Sequence, residues 1–331
     1  MSQRPTTIAI VGTGSIGFRH LSILRAVPYI RVIAIPTRIE RHAELVRMGF
    51  LACETINAAA DLGATLAIIA TNTGRHVEDA LAAVESRLDL LVEKPLGTNS
   101  QEASRLCVRA GEAGRKIFVG CVLRFSESLN TFRNLQSRIG RLHFVRIECQ
   151  SYLPDWRPGR AYRDSYSARP DEGGVLRDLI HEIDYAGWIF GWPRSVQAYL
   201  RNLGRLGIEA EEAADLTWQM PEGSLVSISL DYLSRPPRRS MRAFGELGTL
   251  EWNGMENTVT LALADCTPQV IKSSQSRDEV FLVQDRAFIE ASHGVDDPRL
   301  ATGEDGVKAL SVCDAARRAS RNRREEPVVY P

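Results

Sequence analysis

The 331-residue chain has no excess of charge of either sign, Lys plus Arg and Asp plus Glu both numbering 41. Its overall field therefore offers nothing to nucleic acid or an anionic membrane, and neither is an expected partner. Paired cysteines are also lacking. Cys53, Cys107, Cys121, Cys149, Cys266 and Cys313 are dispersed, with no Cys-x-x-Cys pair and no zinc-like grouping with histidine. They read as reduced thiols, and no metal site is expected. No apolar run approaches the roughly 18 residues of a membrane span. MSQRPTT (1–7) leads into a strand pattern without the apolar region of a signal peptide. The cytoplasm is the expected compartment, and no internal repeat or low-complexity linker interrupts the chain.

What is present is an ordinary globular composition, 44% hydrophobic and 25% charged. Domains usually run to roughly 100–200 residues, which makes two the expectation. TIAIVG (7–12), RVIAIP (31–36), LAIIAT (66–71), DLLVEKP (89–95) and KIFVGCV (116–122) are short aliphatic or β-branched runs that read as strands. Helical patterns over 16–27, 38–47, 76–87 and 100–113 separate them, which predicts an α/β, doubly wound parallel sheet of the Rossmann kind over 1–122.

Beyond 122 the order changes. An amphipathic segment (127–139), a long polar loop (154–172) and an apolar helix (175–190) come first. SVQAYLRNL, ADLTWQM, SLVSISLDYL, SMRAFGELGTLEWN and TVTLALA then follow as successive strand-like stretches. That order predicts a C-terminal α+β domain over 123–331 with a mostly antiparallel sheet. The last helix, 303–322, is a candidate to pack back on the first domain.

GTGSIG (12–17) stands between the first strand and the first helix. Gly12 permits the tight turn, Gly14 the approach of a pyrophosphate, and Gly17 close packing of helix on strand, with Ser15 and Ile16 opening the helix that faces the phosphates. A G-x-G-x-x-G is weak evidence alone, but strand before and helix after are the context it demands. A second stretch, LLVEKPLGT (90–98), is a buried-strand run ending in Glu93, Lys94 and Pro95, which puts Lys94 where ligands bind in open α/β sheets, outside the carboxyl ends of the strands. The bland alternative is a surface lysine paired with Glu93.

GTGSIG, TNTGRH (71–76), EKP (93–95), LRF (123–125), GGVLRDLIHEID (173–184) and TGEDG (302–306) occur in the order seen in the Gfo/Idh/MocA oxidoreductases, and the chain resembles that family over nearly its whole length. The resemblance implies a Rossmann domain beside a large open-faced sheet domain, and hydride transfer between a nicotinamide cofactor and a hydroxyl or keto carbon of a sugar or cyclitol. YLPDWRPG (152–159) and YRDSYSA (162–168) are similar to a subgroup associated with surface-polysaccharide and amino-sugar biosynthesis. The resemblance places Lys94 beside the reacting carbon, as a donor to the substrate oxygen. Thr71, His76 and Glu93 carry over as cofactor neighbours, although Asn72 and Thr73 replace the Pro-Asn of the usual pattern. A cis Lys94–Pro95 bond is compatible with this turn.

On one helix Asp178, His181 and Tyr185 would share a face, at i, i+3 and i+7. His181 can take a proton from a hydroxyl or give one to a ketone, with Asp178 orienting it and Asp184 as its partner by resemblance. The family more often spaces this Asp and His four apart; here they are three apart, which leaves the role of Asp178 open. A core histidine with a local carboxylate is the alternative. HEIDY lacks the second histidine of a zinc motif. Arg124 is read as reaching cofactor or substrate, or as a surface residue. Trp156, Arg157, Arg160, Tyr162, Arg163 and Tyr166 of the long loop suit a sugar face and an anionic group, which favours a nucleotide sugar or sugar acid.

IAIPTRIER follows the second strand with no acid at its end. An acid there would serve the ribose hydroxyls of NAD, whereas Thr37 and Arg38, with help from Arg41, suit the extra phosphate of NADP. NADP(H) is the expected cofactor and NAD(H) the alternative. A homodimer or homotetramer through the C-terminal sheet is expected. A non-catalytic dinucleotide-binding regulator, or an enzyme that uses a tightly held cofactor for transient oxidation, remains open as a different reading. The particular sugar and the direction of transfer are not legible.

Overall fold

A computed structural model describes residues 6–159 and 161–331, and its contacts form two compact units, Met1–Val122 with Ser276–Val307 and Leu123–Gln275 with Lys308–Pro331. In the first, β1 (Thr6–Val11), α1 (Ser15–Arg25), β2 (Ile30–Ile35), α2 (Ile39–Arg47), β3 (Leu51–Ala52), α3 (Ile56–Asp61), β4 (Leu66–Ile69), α4 (His76–Glu85), β5 (Asp89–Glu93), α5 (Ser100–Glu112) and β6 (Ile117–Gly120) alternate. The strands pair in parallel in the order β6-β5-β4-β1-β2-β3. Ile8 to Ile10, Ile68, Ile69 and Leu90 to Val92 are completely buried, as strands covered on both faces require.

In the second unit, α6 (Glu127–Leu135), β7 (Leu142–Gln150), α7 (Val175–Asp178), α8 (His181–Phe190), β8 (Ser195–Arg201), β9 (Ala213–Gln219), β10 (Leu225–Asp231), β11 (Arg238–Gly245), β12 (Gly248–Asn253), β13 (Thr258–Leu263) and β14 (Gln269–Lys272) follow in sequence. The sheet order is β14-β13-β12-β11-β7-β10-β9-β8, antiparallel except for the β7–β10 pair. One face carries the helices: α6 lies on β12 and β13, α7 on β9 and β10, α8 on β7 and β10. Along β10, Val226, Ile228 and Leu230 are buried while Ser227 between them is exposed. That alternation is what a sheet with one covered face requires. This is the expected fold class.

The chain then adds α9 (Arg277–Ser292), β15 (Ala301–Thr302), α10 (Gly303–Asn322) and β16 (Glu326–Pro327). α9 and β15 belong to the first unit, not to the second half as a division at 122/123 would have it. β15 pairs antiparallel with β6, Phe288 packs edge-on to Phe118, and Lys116 Nζ donates to the Ala291 carbonyl. Sequence order alone does not reveal this, because an amphipathic helix does not announce which core it covers. The boundary between the units falls inside α10. Its first turn lies on the first sheet, where Cβ atoms on Gly303 and Gly306 would stand 2.7 Å from Cys107 Sγ and Val119 Cγ2. β16 pairs with β8. SMRAFGELGTLEWN is a hairpin, β11 and β12, rather than one strand, and the helix expected over 175–190 is broken at Leu179 and Ile180. No helix among the described residues is long and apolar enough to cross a membrane.

Candidate active site

The turn after β1 is built from glycines with different jobs. Gly12 has φ +85°, and a Cβ on it would lie 2.7 Å from the Ala70 carbonyl oxygen. A Cβ on Gly17 would lie 1.8 Å from the Gly12 carbonyl, so helix and turn touch there. In front of Gly14 nothing stands within 4 Å. Gly14 caps α1 without a side chain on its N–H groups, and Ser15 and Ile16 form the first turn. Open ground before an uncapped helix N-terminus suits the pyrophosphate of a dinucleotide. Beyond β2, Thr37 and Arg38 are exposed, and Arg38 occupies the N-cap of α2. Arg41 pairs with Glu44 and lies over the Phe18 ring.

Lys94 follows the last residue of β5 and is half-buried. The Lys94–Pro95 peptide is cis. Glu93, expected beside the cofactor, has both carboxylate oxygens engaged within the unit: Oε2 accepts from the Lys94 backbone N–H at 3.2 Å, and Oε1 lies 3.3 Å from His20 Nε2. On the neighbouring strand end, the Thr71 hydroxyl donates to Asp79, which also holds Arg75. His76 is buried with Nδ1 2.7 Å from the Pro95 carbonyl and Nε2 3.1 Å from that of Thr71. Burial lowers its proton affinity, and a neutral ring has one N–H to give. His76 therefore donates to one of the two carbonyls at a time, the nearer being that of Pro95, the residue after Lys94.

In the second unit, Asp178 ends α7 and His181 begins α8, both buried. The break between the two helices corrects the single-helix reading, and with it the shared face drawn through Tyr185. Tyr185 is fully buried and packs edge-on to Trp252 at 5.6 Å. Asp178 instead meets Tyr232, whose hydroxyl donates to Oδ2 at 2.6 Å. Burial and the Asp178 charge together hold the Tyr232 phenol far above its ordinary range. Asp178, and then burial, does the same for Tyr166.

Asp184 was expected beside His181; its carboxylate accepts from Arg124 Nε at 3.0 Å and Nη2 at 2.6 Å. Arg124 is accordingly no surface residue. It is 1% exposed, and its guanidinium also lies over Trp188. A bidentate pair of this kind is the geometry in which an arginine can be buried.

The long loop divides. Trp156 donates to Ser151 and sets its ring edge-on to Tyr232 at 5.3 Å, while Arg157 lies over the Tyr166 ring. These three stand around the Asp178 cluster. Tyr162 and Arg163 both donate to the Leu206 carbonyl, at 2.9 and 3.0 Å, and so anchor the loop. Arg160 lies outside the described residues.

Tyr232 escaped sequence reasoning although a signal existed. It continues the even-numbered, buried register of Val226, Ile228 and Leu230, and a buried phenol needs a partner for its hydroxyl. Glu182, fully buried and paired with Arg239 Nε at 2.8 Å, was also missed. Among the described residues no group of His, Cys, Asp and Glu side chains has a metal-holding arrangement.

Two family models match the chain. Residues 6–121 match an oxidoreductase family with an NAD-binding Rossmann fold, and residues 135–251 match the GFO/IDH/MocA C-terminal domain. Among curated proteins, an inositol 2-dehydrogenase of Mycolicibacterium gilvum is 26% identical over 56% of this chain and 52% of its own. The match thus spans about half the length of that relative. Among solved structures, a levoglucosan dehydrogenase in complex with NADH superposes with TM-score 0.88 at 17% identity, covering 98% of this chain and 100% of the other. The WlbA dehydrogenase of Bordetella pertussis, in complex with NADH and UDP-GlcNAcA, gives TM-score 0.83 at 21% identity over 99% and 100%. At these identities the structural likeness is one of fold.

Proposed function

The chain belongs to the Gfo/Idh/MocA oxidoreductase family, and on that premise we propose that it moves a hydride between a nicotinamide dinucleotide and a hydroxyl or keto carbon of a sugar or sugar derivative. The observation that carries the reading is the placement of Lys94 at the carboxyl end of β5, in the same sheet whose β1 feeds the open glycine turn. Gly12 to Gly17 would hold the pyrophosphate. When bound, the nicotinamide supplies the hydride acceptor or donor.

The Lys94 ammonium donates to the substrate oxygen and stabilises the negative charge that develops there. His181 takes the hydroxyl proton in oxidation and returns it in reduction. Asp178, held by Tyr232, sets the polarity on that side. Thr37 and Arg38 favour NADP(H), since neither repels a 2′-phosphate and the exposed guanidinium can pair with it. NAD(H) is the alternative.

Trp156, Arg157 and Tyr166, beside Asp178, favour a substrate with a sugar face and an anionic group, a nucleotide sugar or sugar acid. An amino-sugar or surface-polysaccharide role is proposed from the resemblance of 152–159 and 162–168 to that subgroup; the WlbA dehydrogenase, which has the same fold, is seen with UDP-GlcNAcA. The exposed face of the second sheet is proposed to join copies into a homodimer or homotetramer, and the cytoplasm is the proposed compartment. Cofactor fluorescence against nucleotide sugars, free sugars, cyclitols and sugar acids tests the whole. Turnover with released reduced or oxidised cofactor supports it. Binding of both cofactors with no turnover of any class overturns it in favour of a binding protein.

A further inference from the structure

Resting on the role given to Lys94 above, we propose that His20 is a positioning residue: held between Asp285 and Glu93, it fixes the Glu93 carboxylate and through it the backbone of Lys94. His20 has no exposed surface. Its Nδ1 lies 2.8 Å from Asp285 Oδ2 and its Nε2 3.3 Å from Glu93 Oε1. Burial raises the proton affinity of the Asp285 carboxyl while His20 lowers it; with both carboxylates ionised their oxygens only accept, so both ring nitrogens donate and the ring is the imidazolium. These two carboxylates are the charges that face it. Burial opposes the positive ring, yet Asp285 and then Glu93 outweigh burial and raise its proton affinity to a pKa of about 10.

The Glu93 carboxylate has little freedom elsewhere. A Cβ on Gly120 of the adjacent β6 would lie 2.8 Å from Oε1, so β6 closes that side, and Oε2 already receives the Lys94 N–H. Three elements meet in the cluster: α1, which starts at the glycine turn, β5, which delivers Lys94, and α9. The helix proposed to hold the dinucleotide and the strand proposed to deliver the donor are therefore tied by one buried charged link. Stability alone is a weak reason for such a link, because well-packed apolar residues often serve a buried ion cluster's place equally well. A flexible lysine whose ammonium must meet one oxygen does need its backbone fixed.

The test uses the whole chain. Histidine-labelled wild-type protein is followed by NMR from about pH 6 to about pH 9; the His20 ring should remain doubly protonated, and a ring neutral at about pH 8 overturns the proposal. His20→Gln and Asp285→Asn should lower kcat about tenfold or more while KM and NADH affinity stay within about twofold. In the same variants, acetic anhydride labelling of Lys94, read by mass spectrometry against exposed Lys272, should change several-fold. A purely structural role would lower Tm and leave kcat per active molecule and the labelling ratio unchanged, which also overturns the proposal. If wild type turns over no sugar, the reaction assignment falls while the NMR and labelling results still decide the role of His20. If neither variant folds, the wild-type spectrum decides it.

Discussion

The Tyr232 hydroxyl donates to Asp178 Oδ2 at 2.6 Å, with both groups buried and the Trp156 ring edge-on to the phenol. Asp178 is thereby held by the residue that follows β10, and the helix face it was expected to share with His181 is interrupted at Leu179 and Ile180. A hydrogen bond to a charged group contributes about 1.5–3 kcal/mol. Tyr232→Phe should therefore lower kcat by about tenfold or more, with NADH affinity unchanged. Steady-state kinetics beside a cofactor titration checks this, and an unaltered kcat would mean that Asp178 needs no fixing.

Lys94→Ala should leave dinucleotide binding nearly intact and reduce turnover at least about a hundredfold, the scale of losing one donor to a developing oxyanion. Near-normal kcat in a variant with wild-type circular dichroism would remove Lys94 from the chemistry.

The two glycines nearest the turn should respond in opposite ways. Gly17→Ala puts a methyl 1.8 Å from a backbone oxygen, whereas Gly14→Ala meets nothing within 4 Å. The first should cost stability on the scale of an overpacked core, about 1–3 kcal/mol. The second should melt like wild type but bind NADH and NADPH about tenfold or more weakly, its methyl projecting where the pyrophosphate is expected. Thermal melts and fluorescence titration of both variants separate the two effects.

Stability should fall in alkaline solution through His20. Its folded pKa of about 10 lies above the ordinary value of 6.5, so the folded state binds the proton more tightly than the unfolded chain. The stabilisation is complete below about pH 6.5, declines as pH rises and is lost above the folded value. Each tenfold difference in proton affinity contributes about 1.4 kcal/mol. Urea melts of wild type and His20→Gln across that window should converge at high pH. Curves that stay parallel would show that no proton is taken up on folding at this ring.

Arg38→Ala should weaken NADPH binding about tenfold and leave NADH binding within about twofold, the pattern of losing a cation that pairs with the 2′-phosphate. Titration of wild type with both reduced cofactors comes first. Tighter binding of NADH would set the preference the other way and leave Arg38 a solvated helix cap.

Much of this molecule was legible in order along the chain. Continuous aliphatic runs separated by amphipathic helices can only be satisfied by a parallel sheet covered on both faces, and glycine spacing between a strand and a helix fixes where the turn must lie. Lys94 was legible for the same reason: it stands where an apolar run stops and a proline forbids the ladder to continue. Partnership between distant side chains was not. The family resemblance implied Asp184 beside His181, but its carboxylate accepts from Arg124, sixty residues earlier. Packing joined Asp178 to Tyr232 and Glu93 to His20 and Asp285. Local periodicity says which face of an element is buried but not what that face will meet, and a buried charge is settled by whichever opposite charge or donor the packing brings within reach. The fold class was written in spacing; the pairing of its buried polar groups was decided only by packing within each unit, α9 against α1 in the first and α7 against β10 in the second.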